Sequence, residues 1–151
     1  MSLTFDRYKL CVLGTKASGK SSLIGSMANP LAAKSNKYTM ELFFVDVPGH
    51  EVFSDDSIRY ITDSRVVLVC IDLTSEDTFE SIKSLISKLK ASKDAKVIMV
   101  GTKCDKANKK KITREKLDQL RQMFQVEYFE CSSIDAQQTN ALLKRLIDLV
   151  E

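Results

Sequence analysis

Tyr8-Lys9-Leu10-Cys11-Val12-Leu13-Gly14-Thr15-Lys16-Ala17-Ser18-Gly19-Lys20-Ser21 is the stretch on which the fold turns. Its first half is a short apolar run. Its second half carries G-x-x-x-x-G-K-S, the spacing by which a strand passes through a glycine-rich turn into a helix. Gly14 and Gly19 permit backbone angles and a close approach that a side chain would block. The backbone N–H groups of Lys16, Ala17, Ser18, Gly19, Lys20, Ser21 and Ser22 then gather at the positive end of a helix, where phosphate oxygens are held. Lys20 adds a point charge for the β- and γ-phosphates, and the Ser21 hydroxyl is placed to ligate Mg2+. The loop alone leaves open which nucleotide binds, and whether its γ-phosphate is transferred, hydrolysed or only sensed.

Outward from this loop, short β-branched runs alternate with amphipathic stretches, the pattern of βα units around a mostly parallel sheet. The expected strands are Tyr8–Leu13, Tyr38–Val45, Arg65–Ile71, Lys96–Val100 and Glu127–Glu130. Several are nearly continuous apolar runs, as strands covered on both faces should be. Helices are expected at Lys20–Met27, Ser54–Thr62, Glu76–Lys90, Arg114–Phe124 and Ala136–Val150, from apolar positions three and four apart such as Phe79, Ile82, Leu85, Ile86 and Leu89. Ser75, Thr113 and Asp135 each offer a capping oxygen at a helix start. The fold class is α/β in three layers, an open sheet of about five strands with helices on both faces. Any ligand then sits at the carboxyl ends of the strands.

At 151 residues, with 44% hydrophobic and 28% charged, the chain reads as one domain over residues 1–151 rather than a disordered or membrane protein. No linker or repeat divides it, and no apolar run is long enough to span a bilayer. The net charge of +3 is mild, and the basic run Lys106-Ala107-Asn108-Lys109-Lys110-Lys111 has no interleaved aromatic, so no nucleic-acid partner is expected. The four cysteines lack metal spacing. Free thiols are expected, Cys11 and Cys70 as small core hydrophobes and Cys104 and Cys131 in loops. A cytoplasmic address follows from the absence of a signal-peptide pattern.

Three further polar clusters fall at strand tips. Asp46-Val47-Pro48-Gly49-His50 ends the second run with an acid suited to Mg2+, through water, and a glycine whose N–H can turn onto a γ-phosphate. Thr102-Lys103-Cys104-Asp105 follows the fourth run, and Cys131-Ser132-Ser133 the fifth. In this order the four clusters resemble the small GTPases of the Ras superfamily, the Rab-like branch in particular, over almost the whole chain. The resemblance implies a P-loop GTPase fold binding GTP or GDP with Mg2+ at Ser21 and Asp46. It implies that Asp105 reads guanine through the ring N1–H and exocyclic amine. The stem of Lys103 would cover the base, and Ser132 and Ser133 would present backbone N–H groups to the guanine carbonyl oxygen.

Departures from the family pattern shape the expectations. Thr102 stands where the family usually has an Asn; the lost hydrogen bond is worth about 0.5–1.5 kcal/mol, so binding weakens without being abolished. His50 takes the place of a Gln that orients the attacking water, and it reads either as a water-positioning group or as an exposed loop histidine. Lys16 stands where many members have Gly, close enough to approach a triphosphate or to obstruct a partner's catalytic residue. The interval from Lys20 to Asp46 is shorter than the one the family carries. The first switch loop and the antiparallel edge strand are therefore expected to be missing, and Tyr38–Val45 is expected as an exposed edge, which either receives a strand from a protein partner or is covered by the shortened loop or solvated with Lys37 and Glu41 as guards.

Two functions follow from the resemblance. One is a slow GTPase acting as a switch, with His50 placing water. The other is a nucleotide-stabilised pseudo-GTPase that serves as an interaction subunit of an assembly. An ATP-using P-loop enzyme would leave Asp105 without a role. Met1-Ser2 offers no glycine for myristate and Leu149-Val150-Glu151 no cysteine to prenylate, so no direct membrane anchor is expected and any recruitment would run through partners.

Overall fold

Continuous apolar strands need cover on both faces, and that requirement organises the molecule. The computed structural model describes residues 4–14, 23–24, 32–34, 38–46, 64–74, 79–92, 96–103, 112–132 and 135–150. Among the described residues, six strands form one sheet: β1 (Thr4–Gly14), β2 (Ala32–Lys34), β3 (Tyr38–Asp46), β4 (Val66–Asp72), β5 (Lys96–Thr102) and β6 (Glu127–Cys131). Their spatial order is β2-β3-β1-β4-β5-β6. β3, β1, β4, β5 and β6 run parallel, each to the next, and β2 alone is antiparallel.

The antiparallel edge strand expected to be missing is therefore present. Ala32, Ala33 and Lys34 pair with Glu41, Met40 and Thr39 of β3. An open strand edge leaves N–H and C=O groups without partners, and even a three-residue strand returning through a short hairpin satisfies several of them. The shortened interval reduces this strand to three residues instead of deleting it. The β3 edge is thus paired at Thr39–Glu41. Among the described residues, no strand pairs with Leu42–Asp46 on that side.

Three described helices cover the sheet: α1 (Phe79–Ser92), α2 (Arg114–Phe124) and α3 (Ala136–Val150). Leu23 and Ile24 are also helical; the remainder of the expected helix Lys20–Met27, and the expected helix Ser54–Thr62, lie outside the described residues. α2 and α3 have the bounds read from their spacing. α1 is described from Phe79 and runs two residues past Lys90, while Ser75, its expected cap, lies outside the described residues.

Alternation within the strands sorts side chains into two cores. Cys11, Leu13, Val67, Val69, Ile71, Val97 and Met99 join Phe79, Ile82, Leu85, Ile86 and Leu89 of α1 and Leu117 and Leu120 of α2 on one face. Leu10, Val12, Val66, Leu68, Cys70, Ile98 and Val100 join Leu23, Cys131, Leu142 and Leu146 on the other. The period of two sends successive residues to opposite faces, so β4, buried at all seven positions, feeds both cores at once. Cys11, Cys70 and Cys131 are buried. Cys131 ends β6 inside a core, not in a loop as expected, because its strand runs one residue further than its apolar pattern. Cys104 lies outside the described residues. Among the described residues, no helix is long and apolar enough to cross a membrane.

Candidate functional site

Parallel strands deliver their carboxyl ends to one edge of the sheet, and the register says which tips meet. Asp46 of β3 lies opposite Val12, and Gly14, the end of β1, lies opposite Cys70. Asp72 pairs with Thr102, and Thr102 in turn with Cys131. The chain therefore leaves β4, β5 and β6 at one level, so the segments starting at Leu73, Lys103 and Ser132 emerge side by side. Gly14 opens the glycine-rich motif on the same edge. All of these strand-tip clusters, far apart in sequence, thus share one rim. This is the place where an open parallel sheet holds its ligands.

At the β5 tip, Thr102 is buried and its Oγ1 donates to the Ile71 carbonyl at 3.2 Å. The hydroxyl thus ties β5 to β4, where the family's Asn would tie the base pocket to the phosphate loop. The next residue, Lys103, has φ 61°, in the left-handed region that L-residues with a Cβ rarely adopt. Holding a side-chain-bearing residue there costs about 1–3 kcal/mol, and such residues cluster at functional sites. Lys103 Nζ donates to Asp72 Oδ2 at 2.8 Å.

Asp72 is a site residue that the apolar pattern did not single out. It is buried, and its other oxygen, Oδ1, accepts from Thr74 N at 2.9 Å and from Thr74 Oγ1 at 2.6 Å. Burial pushes its carboxyl up, but the hydrogen bonds from Lys103 and Thr74 and the lysine charge outweigh that and hold it below its ordinary value. The available signal was an acid ending a fully apolar run, two residues before a threonine. The Leu73–Thr74 turn is pinned further, since Leu73 N donates to Thr102 O at 3.3 Å and Ile112 N to Leu73 O at 3.2 Å.

At the β6 tip, Ser132 is buried and its N–H donates to Gln138 Oε1 at 2.8 Å. Asp135 N donates to Ser132 O at 3.1 Å, closing a turn that enters α3. Asp135 caps that helix as its position predicts, Oδ1 accepting from Gln137 N at 3.0 Å and Gln138 N at 3.3 Å. Gln138 is the second residue that sequence reading passed over. Asp135 and Gln138 have the cap-plus-three spacing of a capping box, with the Gln side chain reaching past the cap to Ser132. Lys16, Ala17, Ser18, Gly19, Lys20, Ser21, Ser22, Gly49, His50, Asp105 and Ser133 lie outside the described residues, and of Asp46 the backbone position is described.

The family model of the Ras family matches residues 24–151. The chain belongs to the Ras family. The match starts at Ile24, past the glycine-rich motif, so motif and family match are separate lines pointing to one fold. Ras-family relatives of this chain include Ras-related protein Rab-3C of Bos taurus, 23% identical over 161 aligned positions, covering 95% of this chain and 71% of the relative. Rab-27B of Homo sapiens is 23% identical over 124 positions, covering 80% of this chain and 57% of the relative. Rab-13 of Rattus norvegicus is 25% identical over 152 positions, covering 88% and 75%. The chain thus spans little more than half the length of Rab-27B. It is a Ras-superfamily small GTPase by kinship, similar to Rab proteins, and this kinship supports a GTP-binding protein.

Proposed function

We propose that this chain binds GTP and GDP with Mg2+ at the rim formed by the β1, β3, β4, β5 and β6 tips, and hydrolyses GTP slowly as a cytoplasmic regulatory switch. The observation that carries the reading is the parallel register, which brings Gly14, Asp46, Lys103 and Ser132 to one edge. In this reading the amides of Lys16, Ala17, Ser18, Gly19, Lys20, Ser21 and Ser22, with Gly14 opening the loop, grip the α- and β-phosphates. The Lys20 ammonium neutralises β- and γ-oxygens, and the Gly49 N–H donates to the γ-phosphate.

Ser21 and Asp46 would hold Mg2+, a hydroxyl and a carboxylate being the hard oxygen donors this ion takes, with Asp46 closing β3 beside the strand that leads into the loop. The ion supplies charge neutralisation between the phosphates. Asp105 chooses guanine over adenine, and Lys103 lies along the base. Thr102, committed to the Ile71 carbonyl, leaves the pocket weaker than an Asn would. The Ser132 N–H donates to Gln138, so in this reading the backbone N–H that would meet the guanine carbonyl oxygen is that of Ser133. His50 orients the water that attacks the γ-phosphorus as the bond to the GDP oxygen breaks. A protein partner engages the chain, and the β3 edge past Glu41 is the place offered for it.

Turnover of GTP with Mg2+ tests the enzyme claim. Wild-type protein is expected to release phosphate slowly, and His50→Ala to lose on the order of 10²-fold, the scale of a misplaced reactant. Phosphate release no faster than buffer at high protein concentration removes hydrolysis and leaves binding. A second reading, a nucleotide-stabilised interaction subunit that does not cycle, is favoured by the three-residue β2, which leaves little chain for a first switch. Equal amide-exchange protection by Mg2+·GTP and Mg2+·GDP, with equal partner affinity, decides for it.

A further inference from the structure

We propose that Asp72 is a positioning residue of the base pocket: it tethers the Lys103 ammonium to the β4 tip, so that the lysine stem stands as a fixed wall for the purine. The inference rests on the guanine-nucleotide reading above and deepens it. Lys103 and Asp72 are 31 residues apart in sequence and 2.8 Å apart in space. Asp72 is itself oriented, because both bonds from Thr74 go to Oδ1 and turn Oδ2 to the lysine. The result is a relay from Thr74 through Asp72 to Lys103, built across the paired tips of β4 and β5.

Two constraints then act on one flexible side chain. The left-handed backbone at φ 61° sets where the Cβ of Lys103 leaves the strand tip, and the ion pair sets where the ammonium ends. A lysine has one of the largest stores of rotamer freedom, and ordering it on ligand binding is costly. Here it is ordered before the ligand arrives, which raises affinity without any contact between Asp72 and the nucleotide. Guanine choice is untouched, because it belongs to Asp105.

Affinity for GDP with Mg2+, measured by fluorescence of a labelled GDP, is compared across wild type, Asp72→Asn, Lys103→Met and the double variant, with ligand-free urea unfolding run on each. Asp72→Asn is expected to weaken GDP binding about tenfold, the loss from releasing one long side chain. The preference for GDP over ADP should stay unchanged. Lys103→Met keeps the stem and removes the charge, so Asp72→Asn added to it should cost less than twofold further. Thr74→Ala, which removes the hydroxyl bond to Oδ1 but keeps the backbone one and both charges, should give an intermediate loss. The proposal is overturned if Asp72→Asn binds GDP as wild type does, or if it costs the same factor with and without the Lys103 charge while lowering the urea midpoint, the mark of a purely structural carboxylate. If wild-type protein binds no guanine nucleotide, the broader reading fails along with this one; normal wild-type binding with an unaffected Asp72→Asn removes this one alone.

Discussion

Gly101 sits one residue before the base-motif segment, at a point where the chain has no room for a side chain. A Cβ built there would run into Tyr128 Oη and lie 3.1 Å from both Tyr128 Cζ and Leu73 Cδ1. The tyrosine ring is rigid, and its hydroxyl donates to Glu130 at 3.2 Å, so it yields only by moving as a unit. Gly101→Ala is expected to destabilise the fold by about 1–3 kcal/mol, the usual cost of overpacking. Thermal unfolding should show this as a lower midpoint. In a Tyr128→Phe background, which removes the nearest atom, the same substitution should cost less; an equal cost would mean that the clash lies with Leu73 or the backbone.

At the scale of elements, α2 shows how a short polar side chain starts a helix that the core then holds. Thr113 has extended angles, φ −78° and ψ 158°, and its Oγ1 accepts from Lys116 N at 3.3 Å. The far end closes at Gln125 with φ 52°, a left-handed cap made without glycine. Between these ends Leu117 and Leu120 enter the α1-side core, and the Lys116 ammonium lies 5.4 Å from the centre of the Phe79 ring. Thr113→Ala removes the cap and should cost about 1 kcal/mol. For a chain of this size that corresponds to a midpoint lower by about 2–4 °C. Thr113→Ser, which keeps the oxygen, should restore most of it. Equal stability of the alanine and serine variants in urea would show that the cap contributes nothing.

For the molecule as a whole, acid is the informative solvent variable. Among the described residues, two carboxyls are held below their ordinary values. At Asp72 the Lys103 and Thr74 bonds prevail over burial; at Glu127 the Arg145 hydrogen bond leads, against burial and with the charges of Arg145 and Lys96. The Arg145 side chain clamps α3 to β6, with Nε 2.9 Å from Glu127 Oε2. A group with a depressed folded value binds its proton less readily than the unfolded chain does. Its contribution is fully present above the unfolded carboxyl value and is lost as pH falls through the folded one. Arg145 is held above an already high value by the same bond, so its charge is constant across neutral and acid pH. The urea midpoint should therefore be flat from neutrality to about pH 5 and fall below about pH 4. Asp72→Asn should flatten that acid limb, leaving the share due to Glu127; an unchanged limb would mean that Asp72 is not linked to folding.

The bounds of α2 and α3, the five parallel strands to within a few residues, the burial of Cys11 and Cys70 and the capping roles of Thr113 and Asp135 were all legible in the amino-acid sequence. Each rests on a signal carried within a few neighbouring residues: apolar spacing, a capping oxygen, or a run with no polar interruption. The strand-tip positions of Gly14, Asp46, Thr102 and Ser132 followed as well, since parallel strands share their carboxyl edge. β2, the Asp72–Lys103 pair and the reach of Gln138 to Ser132 were decided only by tertiary structure. A three-residue strand such as Ala32–Lys34 has no periodicity to read, and it exists because β3 presents an edge to it. The ion pair joins residues on separate strands, and it forms only where the parallel register sets Asp72 beside Thr102. Local pattern specifies what a segment becomes, whereas its partners depend on which segments the packed sheet brings to the same level.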